Sequence, residues 1–147
     1  MMNKLSTGYK IASPGLVLAF IFFFLPWVLQ SCGNDPMREY SGFQLAVGSG
    51  EEAGKYTGNI FVLLTLIALF VIGFFGIQAA RRGALSSWDA YGVTGVSLVV
   101  LIVLFQQFLT KPGEGIQREI LYGLWGYIAG WLLILIGGVV NAVEKKK

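Results

Sequence analysis

Four long apolar stretches constrain the fold of this chain more than any other feature of its sequence. They cover residues 11–30, 60–80, 91–109 and 120–140, and none of them contains an Asp, Glu, Lys or Arg. About 20 consecutive apolar residues are enough for a helix to cross a bilayer. We therefore predict an all-α integral membrane protein, a four-transmembrane-helix bundle that forms a single membrane domain over residues 1–147.

The composition supports a membrane protein and argues against several kinds of chemistry. Only 13% of the residues are charged, whereas soluble domains carry about a quarter. The chain has no histidine, which removes the usual haem ligand, the commonest metal ligand and the default general base. A single cysteine allows neither an internal disulfide nor a thiolate cluster. We expect no enzyme, no catalytic or metal-binding residues and no resident cofactor.

The charges beside the apolar stretches predict an orientation. If the N-terminus is cytoplasmic, seven basic residues lie inside, namely Lys4, Lys10, Arg81, Arg82, Lys145, Lys146 and Lys147. Four lie outside, namely Arg38, Lys55, Lys111 and Arg118. Cytoplasmic loops are enriched in Lys and Arg, so both termini are predicted to be cytoplasmic and residues 31–58 extracytoplasmic. Basic residues placed in this way are topology signals, and we expect no nucleic-acid partner.

Helix boundaries are marked by caps and prolines. Ser13 and Pro14 favour a start of the first helix, and Pro26 favours a kink or an end near its far side. Trp27 is typical of a membrane interface. Ser86 and Asp89 have the spacing of a capping box before the third span.

Residues 31–58 form the longer first extracytoplasmic loop. Its glycines argue against a continuous helix, and residues 43–47 (Phe-Gln-Leu-Ala-Val) fit either a short strand or a segment on the membrane surface. Just before it, residues 29–32 (Leu-Gln-Ser-Cys) resemble the cleavage box of bacterial lipoproteins. Gln30 is unusual in such a box, so we favour an uncleaved helix end with Cys32 as a lone surface thiol.

Two segments resemble a known group of proteins. They are residues 24–27 (Phe-Leu-Pro-Trp) and residues 41–48 (Ser-Gly-Phe-Gln-Leu-Ala-Val-Gly). Together they resemble a pattern in small bacterial four-span membrane proteins, which implies residence in the bacterial inner membrane and no assigned activity. The plan is also similar to that of claudin-like proteins, but in topology alone, because the paired loop cysteines of that family are missing.

Small and aromatic residues supply the candidate contact sites. Gly126 and Gly130 form a GxxxG pair in the fourth span, which favours close helix packing, either within the bundle or against a neighbouring subunit. Trp131 falls near the middle of that span, where its indole N–H needs a hydrogen-bond partner or packing, or where the ring lines a site for a lipid, quinone or carotenoid. The full set of candidate partner or lipid contacts is Trp27, Phe43, Leu45, Val47, Gly126, Gly130 and Trp131.

Two functional hypotheses follow from these features. The first is a non-catalytic accessory subunit of a multi-subunit bacterial membrane complex, respiratory or photosynthetic, which acts through helix packing and contacts with lipids. The second is a self-contained oligomeric protein that binds or transports an apolar ligand. Proton-coupled carriers need an ionisable group near the midplane, and the four spans have none.

The predicted orientation can be checked at Cys32, the one cysteine. A membrane-impermeant maleimide should label it in intact cells whose outer membrane has been made permeable, because residues 31–58 are placed outside. Labelling that requires lysis of the inner membrane would contradict the orientation.

Overall fold

The computed structural model describes residues 6–32, 36–49, 56–82, 87–110 and 116–144. In these ranges it has four long helices that alternate in direction, with short strands at one end of the bundle. The end that carries the strands is called the cap end here. The opposite end, where α1 begins and α5 finishes, is called the terminus end.

The elements follow one another in this order along the chain. The helices are α1 (Thr7–Phe23), α2 (Gly42–Val47), α3 (Ile60–Arg82), α4 (Ser87–Leu104) and α5 (Tyr122–Glu144). A π-helical turn (Phe105–Leu109) extends α4. The strands are β1 (Pro26–Cys32), β2 (Arg38–Ser41), β3 (Gly48–Ser49), β4 (Tyr56–Thr57) and β5 (Ile116–Ile120).

Helix α1 starts earlier than the sequence predicts. Its cap is Ser6, whose hydroxyl accepts a hydrogen bond from the Tyr9 backbone N–H at 3.3 Å. Pro14, predicted to lie in the first turn, is instead inside the helix and exposed.

The predicted end of the first span is wrong. The chain leaves the helix after Phe23, and residues 26–32 form strand β1. Pro26 explains the change, since it has no backbone N–H to continue the helix and it disfavours helical geometry in the residue before it. Helix α1 has 17 residues, at the lower limit of the about 17–25 needed to span a bilayer.

The other three predicted spans are confirmed as long apolar helices. The segments Ile60–Gln78, Ala90–Leu109 and Tyr122–Glu144 are each long and apolar enough to cross a membrane. Ser86, the predicted cap of the third span, lies outside the described residues.

A small sheet at the cap end joins the first loop to the start of α5. Strand β1 lies between β2 and β5 and is antiparallel to both. Directly after it, the Leu121 backbone N–H donates to the Trp27 carbonyl at 2.7 Å. The sheet therefore corrects the prediction of a purely helical protein, although the fold remains mostly helical.

Residues 42–47 form a short helix, so the strand, one of the two predicted possibilities, is wrong. A reciprocal capping box explains this, because the Gln44 N–H donates to the Ser41 hydroxyl at 3.2 Å and the Ser41 N–H donates to the Gln44 side chain at 3.0 Å. Gly48 ends α2 with a φ of 95°, a conformation that suits glycine.

Helices α1 and α5 pack closely along a seam of glycines. A Cβ atom added at Gly130 would lie 2.7 Å from the Ala19 nitrogen and 2.8 Å from the Gly15 carbonyl oxygen. One added at Gly126 would overlap the Phe22 ring. Gly8, Gly15 and Gly137 are also in contact across this seam, and Gly123 packs against the Pro26 carbonyl just beyond the end of α1. In lipid, where burial of apolar side chains gives little drive for association, such close approach holds helices together.

Helix α3 is more loosely attached than α1, α4 and α5. It meets α1 mainly through side chains, since a Cβ added at Gly73 would lie 3.7 Å from Leu16 and one at Gly76 would lie 3.9 Å from the Tyr9 ring. At the cap end the Asn59 backbone N–H donates to the Leu45 carbonyl at 2.7 Å. The Asn59 carboxamide also donates to Gln107 at 3.3 Å.

Gly130→Ala tests the glycine seam. The added methyl group would press against the backbone of α1, which cannot move aside without opening the seam, so we expect a loss of about 1–3 kcal/mol in unfolding free energy. Thermal unfolding of the purified chain in detergent measures it. Gly95→Ala is the matched control, because a Cβ there meets nothing within 4 Å. Equal stability of the two variants would contradict the packing.

Candidate functional site

A cluster of buried aromatic rings fills the cap end of the bundle. The Trp27 ring lies 4.7 Å from the Tyr127 ring, 5.5 Å from Phe23 and 5.7 Å from Phe108, measured between ring centroids. Trp131 follows one turn after Tyr127, with their ring centroids 6.2 Å apart. Trp27 was predicted at a membrane interface but is 0% exposed, because β1 turns its ring into the bundle. Gly42 packs directly against that ring.

Two hydrogen bonds hold the cluster in place. The Trp27 indole donates to the Phe22 carbonyl at 2.8 Å, and this carbonyl at the end of α1 also accepts from the Leu25 backbone N–H at 3.3 Å. The Tyr127 hydroxyl donates to the Thr65 hydroxyl at 3.1 Å, and Thr65 donates in turn to the Val62 carbonyl at 2.8 Å. The second chain of bonds ties α5 to α3 inside an apolar region.

Trp131 has a different environment from Trp27. It is 0% exposed, and its indole nitrogen has no hydrogen-bond partner among the residues that the structure describes. The sequence predicts that this N–H finds a partner or that the ring packs within the bundle, and the structure has the packing without the hydrogen bond. Trp131 lines neither of the two cavities described below, so neither carries the predicted apolar site beside this ring.

Arg118 on β5 fastens the sheet to the end of α4. Its guanidinium donates to the Gln107 carbonyl at 2.9 Å and lies 5.7 Å above the Phe108 ring. A cation over an aromatic face is attracted by the negative face of the ring. The Gln107 carbonyl belongs to the π-helical turn, so the arginine caps the backbone where regular α-helical bonding ends.

An open cleft separates α3 from α4. Its volume is about 490 Å³, and its floor on α4 includes Gly92 and Gly95, where an added Cβ meets nothing within 4 Å. Exposed Phe61, Leu64 and Val99 stand along its sides. The glycines of the α1–α5 seam face helix backbone, whereas these two glycines face empty space.

The sequence-predicted contact residues separate into two groups. Phe43 and Val47 on α2 are 45% and 61% exposed and lie at the surface of the cap. Trp27, Leu45 and Trp131 are at most 1% exposed and pack inside the chain. Gly126 and Gly130 face α1, which supports the interpretation of the GxxxG pair as packing within the bundle.

Cys32 ends strand β1, but its side chain lies outside what the structure describes.

Several residues of these sites could not be singled out from the sequence. In the sequence, Thr65 is a hydroxyl residue inside an apolar stretch and Arg118 is an exterior charge. Only the fold brings Thr65 to Tyr127 and Arg118 to Phe108. Gly92 and Gly95 were visible as small residues on the third span, although nothing in the sequence marks them as lining a cleft. Across the described ranges no group of three or more Cys, Asp or Glu side chains comes together as a metal site.

Comparison with known proteins assigns the chain to no established group. No protein-family model, curated protein or solved structure matches it. The class that the fold defines is a mostly helical protein with three helices able to cross a membrane and a small antiparallel sheet at one end.

Tyr127→Phe tests the buried hydroxyl pair. Loss of its hydrogen bond to Thr65 should lower the unfolding free energy by about 0.5–1.5 kcal/mol. A double-mutant cycle with Thr65→Val, measured by unfolding in detergent, should give a coupling of the same size. Tyr122→Phe is the control, because Tyr122 is 60% exposed. Zero coupling would contradict the bond.

Proposed function

We propose that this chain is a non-catalytic accessory subunit of a multi-subunit complex in the bacterial inner membrane, and that it binds a transmembrane helix of a partner subunit in the cleft between α3 and α4. The cleft is the observation that carries the proposal. It runs over several turns of both helices, is lined almost entirely by apolar groups and opens towards the exterior through exposed Leu64, Val96 and Val99.

The chain's own packing supports a helix as the occupant. Where α1 lies over Gly130 and Gly137 of α5, the two backbones approach too closely for a Cβ. Gly92 and Gly95 lie on successive turns of α4 and offer the same kind of surface without a covering helix. Small residues that allow close backbone approach are the usual basis of helix association in lipid.

The proposed topology has four spans, with α1 as the first. Helix α1 lies along α5 from Gly8, opposite Gly137, to Phe22, opposite Gly126, so it packs along about half of the 23 residues of a helix able to cross a membrane. Exposed Lys10 and Arg81 lie at the terminus end. With the excess of basic residues in the terminal segments, this supports cytoplasmic termini and an extracytoplasmic cap.

A second contact with the partner is proposed at the cap. Phe43 and Val47 are exposed on α2, and the Phe43 ring stacks on exposed Phe24 at 5.8 Å. These side chains form an apolar patch at the surface of the cap. Tryptophan, tyrosine and phenylalanine in such patches often anchor protein interfaces.

Site-specific photocrosslinking tests the accessory role. With the photoreactive residue at Val99 in the cleft, the full-length chain in its host membrane should crosslink to one other membrane polypeptide. The same residue at Leu132 on α5 serves as the control, since Leu132 is 44% exposed but lies outside the cleft. Crosslinks only to lipid, or only to a second copy of this chain, would contradict the proposal.

A matched pair of leucine variants tests the cleft itself. Gly95→Leu should abolish co-purification of the crosslinked partner in mild detergent, because its side chain fills the cleft. Ala129→Leu adds a similar side chain at an exposed position of α5 and should leave co-purification unchanged.

A further inference from the structure

A second cavity lies at the terminus end, between α1, α3, α4 and α5. Its volume is about 220 Å³. Five of the residues that line it are glycines, namely Gly8, Gly73, Gly76, Gly137 and Gly138. An added Cβ at Gly73 or Gly76 would only touch side chains, at 3.7 and 3.9 Å, so the α3 wall of this cavity leaves free space. Val17 and Ile77 line it and are more than half exposed, so the cavity opens sideways between α1 and α3.

One buried polar side chain in this apolar cavity has no hydrogen-bond partner among the residues that the structure describes. Asn141 on α5 lines the cavity, is 3% exposed, and makes no side-chain hydrogen bond with any residue that the structure describes. A buried carboxamide is costly unless its donors and acceptor are paired. By contrast, the nearby hydroxyl of Thr94 donates to the Ala90 carbonyl at 2.9 Å. Among the residues that the structure describes, nothing pairs with the carboxamide of Asn141, so it can bind a polar group that enters the cavity.

The position of Asn141 fits the polar part of a lipid. It lies three residues before the end of α5 at Glu144, which corresponds to about 5 Å along the helix axis. Below it the cavity is lined by Leu16, Ile72 and Ile134, which suit hydrocarbon. The volume is smaller than the about 300–1,000 Å³ of sites that enclose whole drug-sized ligands, so it suits part of a single chain.

Charges around the opening indicate the kind of headgroup. Lys10 follows the lining residue Tyr9 and is exposed, and Arg81 lies one turn beyond the lining residue Ile77 and is also exposed. Lys and Arg near a membrane surface attract anionic lipids. We propose that the cavity binds one acyl chain of an anionic phospholipid, with an ester carbonyl of the lipid accepting a hydrogen bond from Asn141 and its phosphate near Lys10 and Arg81.

Native mass spectrometry of the full-length chain with added phosphatidylglycerol tests this site. The wild-type chain should retain one phosphatidylglycerol and bind phosphatidylcholine more weakly. Asn141→Leu removes the carboxamide with little change in size, and its affinity should fall about three- to tenfold, as expected for the loss of one hydrogen bond. Gly76→Leu fills the cavity and should lower the affinity at least tenfold.

Two controls keep the outcome clear. Ala129→Leu adds the same side chain at an exposed position of α5 that lines neither cavity, and should bind phosphatidylglycerol as the wild type does. Without lipid, Asn141→Leu should unfold at the wild-type temperature or above it, because the change removes an unpaired buried amide, so it remains usable if Gly76→Leu does not fold. Equal binding by all variants, equal binding of both lipids, or retention of a quinone in place of phospholipid would overturn the proposal.

Discussion

The close contact between α1 and α5 is the constraint on which the rest of the structure depends. It is built from glycines on both helices, and it brings backbone against backbone from Gly8 and Gly137 to Ala19 and Gly130. Beyond the end of α1, Gly123 packs against the Pro26 carbonyl. Because the helices meet so closely at its cap end, Trp27 enters the bundle beside Tyr127, and β1 passes directly over the start of α5. The aromatic cluster and the sheet are both consequences of this approach.

The same contact explains why the cavities lie where they do. Glycines of α5 that face α1 are closely covered. Gly73 and Gly76 on α3 meet α1 only through side chains at 3.7 and 3.9 Å, and the cleft glycines on α4 meet nothing within 4 Å. Helix α3 is held at the cap end by Asn59 and in the interior by the Thr65–Tyr127 hydrogen bond. Along the rest of its length, α3 is separated from α4 by the cleft and from the terminus end of α1 by the second cavity. The two proposed binding regions thus lie on either side of the one loosely packed helix.

The sequence predicted the long helices well, because a run of about 20 uncharged residues has few alternatives in a membrane. It failed at residues 24–30, where hydrophobicity is the same for a helix end and for a strand, and only pairing with β2 and β5 decides between them. It also failed at α2, since the surrounding glycines concealed the Ser41–Gln44 capping box. The cavities could not be predicted from the sequence, because their size depends on distances between helices, which no local sequence pattern specifies.

The two outer strands of the small sheet, β2 and β5, carry the same pattern of charged residues. In the register, Gln30 of β1 pairs with Arg38 on one side and Arg118 on the other, and Leu29 pairs with Glu39 and Glu119. Each edge strand therefore carries an arginine followed by a glutamate, and on β5 the arginine, Arg118, is directed onto the Phe108 ring. Charged residues on edge strands discourage the addition of strands from other chains. These charges therefore disfavour pairing between the edge strands of the cap and strands of other chains.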